Sequence, residues 1–349
     1  MKKIKVAFNV LVVLLLVLTL TACGQGSNSE TEQPNANQPD GITQKETVVL
    51  KFSDINAEQS PAGVFCNKFA ELVEKKTEGR VKVENYFGGT LTGNSIEGTQ
   101  TGIAHFSQHD VSEITDLCPL LSILEAPYLY DNDEQLYQIT SPESPIMEKI
   151  NNDLKGKGVI LLTTYSWGNQ NLLTTSKPVY SESDLKGLKI RVIPSKIFIE
   201  TMSAMGATPT PMSWGEVITS LVTNLIDGTG MPISNIVPTG LHEIAKYCVM
   251  TEHNPTLSGI FMNEAAWDSL SPEDQKAVAE AGNEARYEVT KYVNESNDKD
   301  MEVMLSQGVT IIKDDELKFD KVKIRETVFE KFKDEWGDTY NEILEILDK

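Results

Sequence analysis

From residue 47 to the C-terminal end, segments with a strand pattern alternate with segments with a helix pattern, and this alternation constrains the fold most strongly. The first strand segment is 47–53 (TVVLKFS), and the helix segment 61–77 repeats its apolar residues at three- and four-residue spacings. Strand–helix–strand order is typical of sheets covered by helices. The sequence therefore predicts an α/β protein with parallel strands.

The same alternation predicts the elements that follow. We expect strands at 81–87, 103–107, 159–164 and 188–192. We expect helices at 95–101, 197–205, 214–224, 272–307 and 321–347. The start of the long helix is marked by Ser271-Pro272-Glu273-Asp274, in which a capping Ser precedes a Pro and two first-turn acids.

The first 22 residues have the pattern of a secretory signal peptide. An apolar run at 6–20 is shorter than the roughly 20 residues of a membrane span, and it follows three lysines. It ends at Leu20-Thr21-Ala22-Cys23, which resembles a lipobox. This resemblance implies cleavage before Cys23 and a diacylglycerol on its sulfur. The alternative is an ordinary signal peptide with a chance cysteine.

Residues 24–46 are polar and rich in Gly, Asn, Gln, Ser and Pro. Such a segment cannot bury enough apolar surface to offset the entropy lost on ordering. We therefore expect residues 23–46 to be a lipidated cysteine followed by a disordered tether. This organisation predicts an exported protein, lipid-anchored to the outer face of the cytoplasmic membrane or in the periplasm.

Composition and motif content argue against several classes of function. The formal net charge of −20 repels nucleic acid. Cys66, Cys118 and Cys248 lack CxxC spacing, and the four histidines form no metal-binding pattern, so we expect buried thiols, no metal and no cofactor. Their spacing does not decide whether two of these cysteines form a disulfide. There is no GxSxG, P-loop or GxGxxG motif, which argues against an enzyme.

The segment 184–232 resembles the extracytoplasmic solute-binding proteins of TRAP (tripartite ATP-independent periplasmic) transporters, the DctP type. The residues that carry the resemblance are DLKGLKIRV (184–192), MGATPTPM (205–212), Glu216-Val217 and Asp227-Gly228. The flanking segments FAELVE (69–74), TEGRV (77–81) and APYLY (126–130) agree with it. The resemblance implies a periplasmic-binding-protein-like fold with two α/β domains, an interdomain ligand cleft and long domain-crossing helices.

The resemblance also implies a domain division and a function. Domain I comprises 47–167 plus 257–295, and domain II comprises 168–256 plus 296–349 with the crossing C-terminal helices. The implied function is capture of a small organic acid by domain closure and its delivery to the small and large membrane subunits of the transporter. We expect a monomer. The alternative is a sensor-type binding protein that presents its ligand to a receptor kinase.

Arg191 is the central candidate for ligand binding. It lies in the strand LKIRV between apolar neighbours, where a guanidinium group either belongs to an internal ion pair or anchors a ligand. In the resembled family, the arginine at this position pairs with the carboxylate of the ligand. The planar guanidinium suits such a two-pronged contact better than a lysine does.

Two departures from the family pattern imply a less polar pocket. Gln170 stands where a second arginine is frequent, and Met231 stands where an asparagine is frequent. We therefore expect a monocarboxylate with an apolar body, such as a 2-oxo acid, a branched acid or an aromatic acid. If Arg191 is instead paired internally, the alternative is a neutral or cationic ligand.

Four further residues complete the predicted site. Trp214 aligns with a family aromatic residue that packs on the ligand, and Trp167 lies near the predicted interdomain crossing. Core packing is the alternative role for both tryptophans. Asn56 and Gln108 lie in predicted loops at strand ends, where α/β proteins bind ligands.

Overall fold

The computed structural model describes residues 47–348, so the predicted signal peptide (1–22), Cys23 and the predicted tether lie outside the described residues. The strands are β1 (Val48–Ser53), β2 (Val81–Tyr86), β3 (Phe106–Asp110), β4 (Val159–Asn169), β5 (Asn171–Thr174), β6 (Lys189–Val192), β7 (Thr208–Pro211), β8 (Gly228–Met231), β9 (Tyr247–Val249), β10 (Pro255–Asn263) and β11 (Thr310–Ile312). The α-helices are α1 (Pro61–Lys76), α2 (Ile96–Gln100), α3 (Asp133–Ile139), α4 (Pro145–Leu154), α5 (Glu182–Leu185), α6 (Lys196–Ala204), α7 (Trp214–Val222), α8 (Leu241–Ile244), α9 (Glu264–Ser269), α10 (Pro272–Ser306), α11 (Lys321–Trp336) and α12 (Thr339–Ile346).

The strands form two mixed sheets within one compact unit. The first sheet has the order β2-β1-β3-β10-β4, with β10 antiparallel to both of its neighbours. The second has the order β11-β9-β5-β8-β6-β7, with β5 antiparallel to β8 and β9. We call the parts built on these sheets lobe I and lobe II. The predicted α/β class is confirmed, with antiparallel pairs besides the expected parallel ones, while the exact domain boundaries stay a prediction.

Helix α10 joins the two lobes. Its 35 residues span ~52 Å at 1.5 Å per residue. The Ser271 side chain caps its first turn by accepting a hydrogen bond from the Asp274 N–H, as the sequence predicts. Val278, Ala285 and other apolar residues of its first half pack in the core of lobe I, whereas Met304 near its end packs in the core of lobe II.

Two chain crossings between the lobes are hydrogen-bonded to each other. Gln170 lies between β4 and β5, and its N–H donates to the Asn254 carbonyl at 2.7 Å. The Asn254 side chain, fully buried before β10, donates to the Glu125 carbonyl at 2.7 Å and to Thr201 Oγ1 at 3.2 Å. Glu125 precedes lobe I strand β4, and Thr201 lies on α6 beside the lobe II sheet. We call these paired crossings the hinge region.

Three predicted elements differ from the structure by more than two residues or are divided in it. Strand β3 begins at Phe106 instead of residue 103, because the chain turns at Gly102 (φ 78°) after α2. Strand β4 continues to Asn169, five residues beyond the predicted end, and so reaches the hinge. The predicted helix 321–347 is interrupted at Gly337 (φ 52°), which separates α11 from α12.

Cys66, Cys118 and Cys248 are buried free thiols in the structure. Among the described residues, no group of three or more His, Cys, Asp or Glu side chains is arranged to hold a metal ion. Within the same range, no helix combines the length and the apolarity that a membrane span requires.

The buried carboxyl group of Glu125 makes stability depend on pH. Its Oε1 accepts from the Leu257 N–H at 3.4 Å, and its Oε2 has no partner among the described residues. Burial, with the nearby Asp110 carboxylate, raises the pKa of Glu125 well above its ordinary value. The folded protein therefore holds a proton that the unfolded chain releases. The stability that this proton contributes is complete below the pKa of Glu125 in the unfolded chain. It is lost as pH rises toward the pKa of Glu125 in the folded protein.

We predict that Glu125→Gln, which mimics the protonated form, gains stability relative to the wild type as pH rises from about 5 to about 8. Denaturant unfolding at several pH values measures this difference. Glu345→Gln, on the exposed face of α12, is the control and should show no such trend. A difference between Glu125→Gln and the wild type that stays constant with pH would contradict the prediction.

Candidate functional site

A cleft of about 520 Å³ lies between the two lobes, within the size range of small-molecule sites. Lobe I contributes residues from the ends of β1 and β3 and from the segment after β3. Lobe II contributes residues from β8 and the segments that follow it. Helix α10 closes one side with Tyr292 and Ser296. The cleft thus has walls from both lobes, as closure around a ligand requires.

Five of the seven predicted ligand-binding residues line this cleft. They are Asn56, Gln108, Trp167, Trp214 and Met231. The fold brings them together from both lobes, although they are separated by up to 175 positions in the chain. The other two, Gln170 and Arg191, are buried beside the lining residues rather than lining the cleft themselves.

A hydrogen-bond network centred on Ser258 orients four residues of the cleft wall. Ser258 is fully buried in β10, and its hydroxyl oxygen accepts from Gln108 Nε2 at 2.6 Å and from Trp167 Nε1 at 2.7 Å. The same hydroxyl donates to Asp110 Oδ1 at 3.5 Å, and Asn56 Nδ2 donates to Gln108 Oε1 at 2.9 Å. Because buried polar groups are costly without partners, this network holds the side chains in place.

The sequence does not predict Ser258, Asp110 or Glu113 as site residues. Ser258 reaches the site only because β10 pairs with β3, placing Ser258 opposite Asp110. One local signal exists: Asp110 follows Gln108 by two positions, and such residues share a strand face. That signal is useful only once the bounds of β3 are known.

Arg191 is a buried cation with one hydrogen-bond acceptor. Its side chain is 5% exposed, and its Nε donates to the Met212 carbonyl at 3.1 Å. The guanidinium carbon lies 5.8 Å from the ring centroid of Trp214, which itself lines the cleft. None of the ion pairs among the described residues involves Arg191. Burial lowers its pKa to about 10, so the group stays charged at neutral pH.

A second buried arginine shows what a purely structural guanidinium looks like in this protein. Arg286 on α10 is 1% exposed and donates to the Thr140 carbonyl and hydroxyl and to the Tyr137 carbonyl, at 3.0–3.2 Å. It also lies 4.2 Å from the ring centroid of Tyr137. Lobe I thus supplies acceptors to both terminal nitrogens of Arg286, whereas the terminal nitrogens of Arg191 keep their donor capacity for another group.

Gln170 supports the cleft from behind. Its Nε2 donates to the hydroxyl of Thr256, a residue that does line the cleft, at 2.8 Å. Its Oε1 lies 2.6 Å from where a Cβ would stand on Gly230, so a larger residue at that place in β8 would displace the Gln170 amide. Gln170 therefore fixes the hinge-side wall next to Met231.

The lining of the cleft is acidic and aromatic. Burial, with the neighbouring Glu113 carboxylate, raises the pKa of Asp110 to about 7. Burial also lowers the pKa of His109 to about 4, so this imidazole is neutral at pH 7. Among the described residues, no lysine or arginine lines the cleft.

The family model for "Bacterial extracellular solute-binding protein, family 7" (DctP) matches residues 52–334. The C4-dicarboxylate-binding periplasmic protein DctP of Rhodobacter capsulatus is 30% identical over 272 residues, which cover 76% of this chain and 80% of that protein. The ectoine/5-hydroxyectoine-binding periplasmic protein UehA of Ruegeria pomeroyi is 31% identical over 261 residues, covering 73% and 76%.

Solved structures share the fold as well. A TRAP periplasmic solute-binding protein from Chromohalobacter salexigens with bound D-glucuronate superposes with a TM-score of 0.73 at 28% identity, covering 86% of this chain and 99% of that chain. The family comprises solute-binding proteins of transport systems, which confirms the prediction that the chain is not an enzyme. The chain belongs to the extracytoplasmic solute-binding proteins of TRAP transporters, family 7 of the bacterial extracellular solute-binding proteins.

Proposed function

We propose that this protein captures a small monocarboxylate in the interdomain cleft and delivers it to the membrane subunits of a TRAP transporter. The observation that carries the proposal is the buried guanidinium of Arg191, which has one backbone acceptor and no acidic partner among the described residues. The ligands named for the relatives above are a C4-dicarboxylate, ectoine and D-glucuronate. Each of these compounds carries a carboxylate.

A ligand carboxylate supplies what Arg191 lacks. Burying a charge without a partner is unfavourable, and a carboxylate at the guanidinium edge compensates for it. A hydrogen bond to a charged group contributes about 1.5–3 kcal/mol net, and the planar guanidinium can form two in parallel. The Trp214 ring beside Arg191 shields this contact from water when the cleft closes.

The charges of the cleft favour one carboxylate over two. Gln170 and Met231 stand where a second arginine and an asparagine are frequent in the resembled family, and no lysine or arginine is among the described lining residues. A second carboxylate on the ligand would meet Asp110 and Glu113 instead. Repulsion and incomplete desolvation would both oppose its binding.

Closure of the lobes is the proposed binding motion. A ligand shifts the open–closed equilibrium only if it contacts the closed form better than the open form. Arg191 and Trp214 lie on lobe II, whereas Gln108 and Trp167 lie on lobe I, so a ligand between them gains contacts when the lobes approach. The paired crossings at Gln170 and Asn254 are the proposed hinge.

We also propose that Cys23 is the lipidated first residue of the mature protein. The proposal is supported by the basic start, the apolar run and the lipobox-like Leu20-Thr21-Ala22-Cys23. The mass of the N-terminal peptide of membrane-extracted protein should equal that of a peptide beginning at diacylglyceryl-Cys23. An unlipidated N-terminus at another residue would contradict the lipid-anchored form.

We predict that Arg191→Ala weakens binding of an acid ligand by about tenfold or more, because at least one charged hydrogen bond is lost. Arg191→Lys should lie between Ala and wild type, since the charge remains and the planar donor pair is lost. A thermal-shift screen of small acids against residues 47–349 finds the ligand, and calorimetry measures its affinity for the variants.

Arg80→Ala is the matched control, since Arg80 forms ion pairs with Glu273 and Asp274 outside the cleft. This variant should leave the affinity unchanged. An unchanged affinity of Arg191→Ala would contradict the carboxylate anchor. If dicarboxylates alone shift the melting temperature of the wild type, the single-carboxylate proposal is wrong.

A further inference from the structure

The cleft combines two carboxylates with several aromatic rings, a combination that suits a positively charged group. Asp110 and Glu113 line it on lobe I, and no lysine or arginine does so in the part of the chain that the structure describes. The rings of Trp167, Trp214 and Tyr292 line the same cleft. Ammonium groups bind favourably over aromatic faces, most strongly over tryptophan.

Both carboxylates have only weak hydrogen-bond donors. Asp110 Oδ1 accepts from Ser258 Oγ at 3.5 Å, and Glu113 Oε2 accepts from Asn94 Nδ2 at 3.4 Å, each near the upper limit for a hydrogen bond. The raised pKa of Asp110 is what burial and a neighbouring carboxylate produce. A positively charged donor between these two groups would satisfy both.

We propose that the ligand is a small zwitterion with one carboxylate and one positively charged nitrogen. The inference rests on the proposed function, which places the carboxylate on Arg191 of lobe II. The nitrogen lies against Asp110 and Glu113 of lobe I, with the rings of Trp167 and Trp214 beside it. Such a ligand joins opposite charges on both lobes and thereby stabilises the closed form. Amino acids, betaines and cyclic amidines that carry a carboxylate belong to this class.

Acids without such a nitrogen fit the lobe I wall less well. An apolar body against Asp110 and Glu113 would cover two carboxylates whose only donors are weak when the cleft closes. The hydroxyl groups of a sugar acid can donate to these carboxylates. Sugar acids are therefore the competing class that the experiment must separate from zwitterions.

Calorimetry with matched ligand pairs tests the proposal. The pairs are glycine betaine with 3,3-dimethylbutyrate, 5-aminopentanoate with hexanoate, and proline with cyclopentanecarboxylate, and D-glucuronate represents the sugar acids. The members of a pair have the same shape and the same carboxylate and differ in the positive charge. We expect at least one zwitterion to bind the wild type at least about tenfold more tightly than its partner and than D-glucuronate.

The variant Asp110→Asn separates a charge effect from a structural one. We expect it to weaken binding of the zwitterion by about tenfold or more. The affinity of the matched acid without the positive charge should stay unchanged or increase, because a charge that repels its carboxylate is removed. Asp268→Asn makes the same change of charge at an exposed position of α9 outside the cleft. This control should alter the affinity of neither ligand.

The possible failures of the two proposals are distinguishable. If D-glucuronate or a plain acid binds more tightly than every zwitterion, and Arg191→Ala weakens it, the zwitterion inference is overturned while the proposed function stands. An equal effect of Asp110→Asn on both members of a pair also overturns the inference. If no acid of any class binds the wild type, both proposals are contradicted.

Discussion

A buried positive charge without an acidic partner is the constraint on which the account of the site depends. Arg191 lies on a short strand in the second sheet, is almost fully buried, and bonds one backbone carbonyl. Transfer of a guanidinium group out of water is unfavourable unless hydrogen bonds and opposite charge replace the lost hydration. The two terminal nitrogens of Arg286 donate to lobe I, and its guanidinium lies over the Tyr137 ring, which shows how this chain holds a buried arginine whose role is structural.

The fold makes such a charge useful because it gives the cleft two walls of different character. Lobe II presents Trp214 in front of Arg191, and lobe I presents Gln108, Trp167 and Asp110, oriented by Ser258. Helix α10 packs in the cores of both lobes, and the two chain crossings between the lobes are hydrogen-bonded to each other at the hinge. Binding and closure are thereby coupled, since a ligand that reaches both walls favours the closed arrangement.

Much of the fold can be predicted from local pattern. The apolar spacing at 61–77 and the capped start at Ser271 predict α1 and α10 within a few residues, because burial on one helix face leaves a strong periodic signal. Strand β10 leaves no such signal. It is the second-to-last strand of the first sheet and is buried along its whole length, yet Ser258 and Gly259 interrupt its apolar run. Those interruptions have tertiary causes: Ser258 bonds the cleft residues, and a Cβ on Gly259 would lie 3.0 Å from the Leu161 side chain on β4.

The residues of the site likewise divide into those that can be predicted from the sequence and those that cannot. Asn56, Gln108, Trp167, Trp214 and Met231 can be anticipated as cleft residues from strand ends and from the family resemblance, and the structure brings them together. Asp110 and Ser258 depend on the pairing of β3 with β10, which one sequence does not reveal. Gln170 shows a further limit: the family resemblance predicts it as a ligand-binding residue, whereas in the structure it lies behind the cleft wall and donates to Thr256, a contact that follows only from the packed hinge.

The most direct test of the central claim is a crystal structure of the protein bound to the acid that it binds most tightly. We expect a closed cleft in which both carboxylate oxygens of the ligand lie about 3 Å from the terminal nitrogens of Arg191. A bound ligand whose carboxylate lies elsewhere, with Arg191 bonded to the Met212 carbonyl alone, would contradict it.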